Sequence, residues 1–222
     1  MNISPNTIAI LRNFSAINSS IYIREGNVLR TISVSGNIAA KAKIGDEFET
    51  SFALYDLNQF LNGLKIYDQP SLDFSKNNCV IIKEGRHKIT YRLTDPSLIF
   101  YPEDRDIKLP STDVSFELTT EQYEKLVKSS NIFSLPDLSI VGENGEINVK
   151  VRDKENSSSN EVAVLVGETN DDFSLNFKIE NVKIIPGNYI VNVSKELIAE
   201  FRNQNHDLTY WIGLDSDSSF EF

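Results

Sequence analysis

Apolar positions recur along this chain in one repeating order, clearest in residues 51–64. Phe52 and Leu54 alternate with Ala53 and Tyr55, which predicts a strand, and Leu57, Phe60, Leu61 and Leu64 then fall at helical spacing. Asp56 stands at the N-cap position with Gln59 three residues on, a capping-box-like pair that would satisfy the free N–H groups of the first turn. The order returns in residues 114–130. There Phe116 and Leu118 alternate, Thr119 and Gln122 form the box, and Tyr123, Leu126 and Val127 line one helical face. A third, weaker copy alternates at Leu175, Phe177 and Ile179 and predicts a short helix from about Glu180 to Ile185, stopped by Pro186 and Gly187. A fourth helix opens the chain without a leading strand, with Ser4 as cap, Pro5 at the first position and Ile10, Leu11, Phe14 and Ile17 inward. The unit thus recurs roughly every fifty to sixty residues, too long for a common solenoid, which points to duplicated domains that each hold it twice.

Between these units lie short alternating runs with turn residues between them. In the first half they are residues 20–24, 28–33 and 38–44, broken by Glu25-Gly26-Asn27 and Ser35-Gly36-Asn37, and then 71–75, 80–83 and 88–93. The second half gives 138–141, 147–152, 161–166, 189–193, 197–202 and 208–214, with a serine-rich loop at 156–160 and an acidic tail, 215–222, expected to fray. Pro96, Pro102 and Pro110, a charged tract at 103–108 and the apolar trio Leu98, Ile99 and Phe100 interrupt the pattern and read as a linker. The predicted organisation is α+β: two similar domains, 1–95 and 113–222, joined by a linker at 96–112. Each domain is built from two β-α-β-β-β-like units, with helices on one face of antiparallel sheets.

Composition removes several classes of function. Apolar runs never approach the ~20 residues a membrane helix needs, and residues 1–6 lack the charged and apolar regions of a secretion signal, so the expectation is a cytoplasmic protein with no membrane partner. A lone Cys79 allows no intrachain disulfide and no cysteine metal cage. His87 and His206 sit among charged turn residues and read as solvated, and no phosphate-binding glycine loop occurs. The acidic pairs Asp171–Asp172 and Asp215–Asp217 lack calcium-loop spacing. No catalytic residue, cofactor or metal is expected.

The net charge of −10 argues at first against nucleic acid. Helical wheels at ~100° per residue change that picture. Lys125 and Lys128 fall opposite the buried stripe of the third unit, Arg12 falls outward on the first helix between Ala9 and Ala16, and Lys183 lies on the short last helix. The helix at 57–64 departs from this, with Gln59 and Asn62 outward and Lys65 to the side. Glu121 and Glu124 are the acidic exceptions, and Glu121 answers the helix dipole. Solvated lysines explain each helix singly, but the contrast with so acidic a chain favours one basic surface.

The helix LRNFSAINSSI (residues 11–21), the unit ALYDLNQFLNGL (residues 53–64) and the turn PGNY (residues 186–189) resemble those of the trimeric DNA polymerase sliding clamps of T-even-like phages. The likeness extends in order and spacing over almost the whole chain. It implies the DNA clamp fold, related to proliferating cell nuclear antigen, and a homotrimeric ring. Such a ring would encircle double-stranded DNA independently of sequence, tether the replicative DNA polymerase and be opened by an ATP-driven clamp loader. By resemblance, Arg12, Lys125, Lys128 and Lys183 become DNA-facing residues. Ile99, Phe100, Tyr101, Leu197 and Trp211 become a pocket for the short apolar tails of partners, although Leu197 and Trp211 fit an ordinary core as well. Residues 88–93 and 161–166 become the interface strands. Helices taken as ~10 Å cylinders agree with three chains: twelve enclose a hole of ~28 Å and eight only ~15 Å, against a duplex roughly 20 Å wide.

Two other readings fit the residues. A non-enzymatic two-domain viral structural or assembly module accounts equally for the acidity and the missing catalytic groups. An enzyme with an unrecognised acidic site is the third.

Overall fold

The computed structural model describes residues 1–221, and the chain forms two compact units, Met1–Arg105 and the part from Asp106 onward. The first unit runs α1 (Pro5–Ile17), β1 (Ile21–Ile23), β2 (Gly26–Ile32), β3 (Ile38–Phe48), β4 (Phe52–Leu54), α2 (Leu57–Leu64), β5 (Ser71–Asp73), β6 (Cys79–Glu84) and β7 (His87–Arg92). A single 3-10 turn at Pro96–Leu98 follows. Ser4 caps α1 by accepting the Thr7 N–H, and Asp56 caps α2 by accepting the Gln59 N–H at 2.8 Å. The stripes expected to face inward do so: Ile10, Leu11, Phe14 and Ile17 of α1 and Leu57, Phe60, Leu61 and Leu64 of α2 are all buried. The two helices touch, with Ser15 Oγ of α1 donating to Asn58 Oδ1 of α2 at 2.8 Å. β7 is tied to the start of α2, because Tyr91 packs edge-on against Phe60 and its hydroxyl donates to the Asp56 carbonyl at 2.8 Å.

All strand pairs in this unit are antiparallel: β2 with β3, β5 with β6, β6 with β7, and β1 with β4. The last pairing corrects an expectation. Glu25-Gly26-Asn27 reads as a hairpin turn, yet β1 pairs with β4 and β2 with β3, so the chain passes there from one sheet to another. Gly26, at φ 105°, supplies a backbone that L side chains rarely adopt.

The second unit runs β8 (Val114–Leu118), α3 (Thr120–Phe133), β9 (Asp137–Glu143), β10 (Glu146–Arg152), β11 (Val162–Glu168), β12 (Asp172–Lys178), β13 (Tyr189–Ser194), β14 (Ile198–Asn203), β15 (Leu208–Gly213) and β16 (Ser219–Glu221). Strands β15, β14, β13 and β8 form one antiparallel series, and β11, β10, β9, β12 and β16 form a five-stranded sheet. Alternation buries Ile147, Val149 and Val151 of the second series, and Phe177 meets Phe201 of the first edge-on at 6.2 Å. The turn between β9 and β10 uses Asn144 and Gly145, both at positive φ, the pairing a two-residue hairpin favours. Thr119 and Gln122 make the complete capping box of α3, whose Tyr123, Leu126 and Ser130 are buried against the β10–β11 side of the sheet.

Two expectations fail in this unit. The helix predicted from about Glu180 to Ile185 is only a 3-10 turn, Ile179–Asn181. Val182, Ile184 and Ile185 are β-branched, and Pro186 disfavours helical backbone at the residue before it. The segment instead lies along α3, where the Tyr123 hydroxyl donates to the carbonyls of Val182 and Ile184. The chain therefore has three α-helices among its described residues, not four. The tail expected to fray also holds structure: β16 pairs with β12, and Lys154 Nζ bridges Asp215 at 2.7 Å and Asp217 at 2.8 Å. Phe222, the last residue of that tail, lies outside the described residues.

Candidate nucleic-acid and partner interfaces

On α1, Arg12 is exposed and is the one charged residue of the helix. α2 carries no charge at all, and its exposed residues are Asn58, Gln59 and Asn62. On α3 both Lys125 and Lys128 are exposed, as the wheel requires, but Lys125 Nζ pairs with Glu121 at 2.7 Å one turn earlier. The hydrogen bond from Lys125, and then its charge, hold the Glu121 carboxyl below the ordinary value. Glu124 is exposed on the same helix, so the two lysines and two glutamates of α3 balance. Lys183 is exposed but stands beyond the 3-10 turn rather than on a helix.

The segment after β7, read from sequence as a linker, is strapped along the first unit. Buried Asn18 donates through its side-chain amide to the carbonyls of Ile32 and Phe100, both at 2.9 Å. Tyr101 packs on Tyr22 with ring centroids 4.8 Å apart, and the Arg24 guanidinium lies 5.0 Å from the Tyr22 ring centre and 5.6 Å from that of Tyr101. Arg24 also donates to the Pro102 carbonyl at 3.1 Å, and Arg30 pairs with Asp104 at 3.2 Å. Against this strap Ile99 and Tyr101 are half-buried, whereas Leu98 is 68% and Phe100 49% exposed. Sequence reasoning singled out Ile99, Phe100 and Tyr101 as candidates but not Asn18, Tyr22, Arg24 and Arg30, which hold this segment. The charged tract was a signal, but nothing local says which arginine answers Asp104.

In the second unit, Leu197 sits at φ 60° in the turn between β13 and β14, half-buried, with its N–H bonded to the Ser194 carbonyl at 3.1 Å. Trp211 on β15 is 7% exposed, and its indole N–H has no hydrogen-bond partner among the described residues. Ile99, Phe100 and Tyr101 belong to one unit, Leu197 and Trp211 to the other.

Each unit ends one of its sheets on an open strand at the positions expected for an interface. β7 is outermost beside β6, with Ile89 and Tyr91 half-buried; β11 is outermost beside β10, with Leu165 54% exposed. Among the described residues no group of three or more His, Cys, Asp and Glu could hold a metal ion, and no helix is long and apolar enough to cross a membrane.

The sequence model described as DNA polymerase processivity factor matches residues 4–101. The sliding clamp of Escherichia phage RB69 is 31% identical over 231 aligned positions that span all of both chains. This chain belongs to the phage DNA polymerase sliding clamps. The sliding clamp of Enterobacteria phage T4 is 29% identical, again across the whole of both chains. Among solved structures, that of the C-terminal region of FEN-1 bound to A. fulgidus PCNA superimposes with a TM-score of 0.69 over 96% of each chain at 12% identity, a likeness of fold. The α+β organisation expected from the repeated units, and the clamp fold that the resemblance implied, are those this sliding clamp adopts, with an extended segment where its fourth helix was expected.

Proposed function

We propose that this sliding clamp acts without catalysis, as a homotrimeric ring that surrounds duplex DNA without reading its sequence and tethers the replicative DNA polymerase to it. An ATP-driven loader would open the ring, in the cytoplasm of the host cell. The observation that carries the proposal is the pair of open edges, β7 in one unit and β11 in the other. Two different edges of one chain pair head to tail, and such contacts close into a ring when the rotation allows. Three helices and the extended segment along α3 supply four lining elements per chain. Nine helices as ~10 Å cylinders enclose a hole of ~19 Å and twelve elements of that width ~28 Å, so the helices with the extended segments fit a hole between these limits, about the ~20 Å width of a duplex.

Arg12, Lys125, Lys128 and Lys183 supply positive charge to that lining, with Glu121 beside Lys125. Phosphate contacts of this kind position DNA and exchange readily, which permits sliding. Partner tails are assigned to Ile99, Phe100 and Tyr101 in the first unit, and to Leu197 and Trp211 in the second. The solved complex of A. fulgidus PCNA with the C-terminal region of FEN-1 supports docking through a chain end.

The test compares retention on circular and linear DNA. Protein loaded on nicked circles should survive a salt wash that screens its basic residues and should leave once the circle is cut. A groove binder loses affinity from both with a slope of about −0.9 per phosphate contact in log K against log salt. Equal loss from the two substrates, or a monomer in sedimentation velocity, would return the chain to the assembly-module reading.

A further inference from the structure

In a chain with 24% charged residues, α2 has none. Its face opposite the Leu57, Phe60, Leu61 and Leu64 stripe carries three exposed carboxamides, Asn58, Gln59 and Asn62, and the base nearest to them in sequence, Lys65, stands past the last turn. The neighbouring α1 adds one guanidinium, Arg12, and two exposed alanines, Ala9 and Ala16. Asn58 is held as well as exposed: its side-chain oxygen accepts from Ser15 Oγ at 2.8 Å, which turns its N–H donors away from α1. Solvation alone favours lysine and glutamate on a helix face, since both are better helix formers than asparagine. Asn58 answers Ser15, but Asn62 costs helix propensity at an exposed position.

We infer that the first unit meets the duplex through this carboxamide stripe, whose uncharged N–H groups donate to phosphate oxygens; the inference rests on the ring reading above. Asparagine and glutamine side chains are ordinary phosphate donors, and a neutral donor displaces no counterion when it binds. The stripe therefore adds friction that salt does not screen, beside the screened friction of Arg12, Lys125, Lys128 and Lys183. A lysine in its place behaves differently, because a fourfold rise in salt weakens each lysine–phosphate contact by about 3.5-fold.

The experiment tracks single rings diffusing on a linear duplex closed at one end by a bulky block, with rings threaded from the open end at about 50 and about 200 mM salt. A Gln59→Ala/Asn62→Ala double variant should diffuse faster than the parent by the same factor at both salts. Asn58→Lys/Asn62→Lys, with two added contacts per chain, should diffuse more slowly than the parent at the lower salt and lose about 12-fold of that slowing at the higher. Sedimentation of both variants as the parent oligomer keeps the comparison fair. An alanine variant that diffuses like the parent, or whose effect vanishes at high salt, overturns the stripe while rings held by the block leave the clamp reading intact. Rings that leave the blocked and open ends alike would overturn both.

Discussion

The side-chain amide of Asn18 donates to the carbonyl oxygen of Phe100 at 2.9 Å, which ties the end of α1 to a residue 82 positions later. The same nitrogen reaches Ile32, while the side-chain oxygen accepts from the Ser20 N–H and hydroxyl. One buried carboxamide thus fixes where an exposed aromatic ring is presented. Asn18→Ala leaves these partners unanswered and should cost about 1–3 kcal/mol in denaturant unfolding. Amide exchange across residues 99–103 should accelerate more than in β6; unchanged exchange there would mean that Arg24 and Tyr22 hold the strap alone.

Phe100 itself buries too little to matter much for folding. Phe100→Ala should leave the melting temperature and the oligomer unaltered, within the ±0.5 kcal/mol usual for surface positions. It should weaken a polymerase C-terminal peptide by on the order of 1–3 kcal/mol, the cost of removing an anchor. Calorimetry that returns the parent affinity would move the partner site off the strap.

Along β11, successive residues direct their N–H groups to opposite neighbours, so of Val164 and Leu165 one faces β10 and the other the open edge. Proline at the first should lower the melting temperature. Proline at the second should melt like the parent yet sediment as a monomer, because only an intermolecular ladder bond is removed. Trimers from both variants would take β11 out of the ring contact.

Carboxylates held below their ordinary values couple stability to acid, Asp46, Asp113 and Asp217 among them. Burial opposes ionisation of Asp46, but hydrogen bonds from Thr7 and Ser4 outweigh it and the carboxyl titrates below its ordinary value. The Ser111 hydroxyl and the Lys195 N–H lower Asp113, and Lys154 lowers Asp217. A depressed native value means that the stabilisation is complete above the unfolded value, about 3.9 for aspartate, and is lost as pH falls below it towards the native one. The melting temperature should therefore drop steeply below about pH 4, and the deficit of Asp46→Asn relative to the parent should shrink over the same range. A deficit that stays constant down to the lowest pH would show that Asp46 acts through packing rather than charge.

What the sequence determined by itself is local. Ser4, Asp56 and Thr119 cap helices because their oxygens reach N–H groups three residues on, and the stripes of α1, α2 and α3 follow from a period within a few turns. Alternation likewise marked the strands from β1 to β15 to within a few residues, and the i,i+4 pairing of Lys125 with Glu121 was open to the same arithmetic. The tertiary structure decided whatever depends on residues far apart in the chain. A turn at Gly26 cannot say that β1 will pair with β4, and the run from Glu180 to Ile185 cannot say that the Tyr123 hydroxyl will take its carbonyls in place of a fourth helix. Asn18 reads in sequence as an ordinary residue at a helix end, and Arg24 as a strand-end charge. Their grip on residues 100–104 exists only once the chain has returned across them, because a hydrogen bond or a ring contact is specified by the meeting of two surfaces, each of which looks unremarked alone.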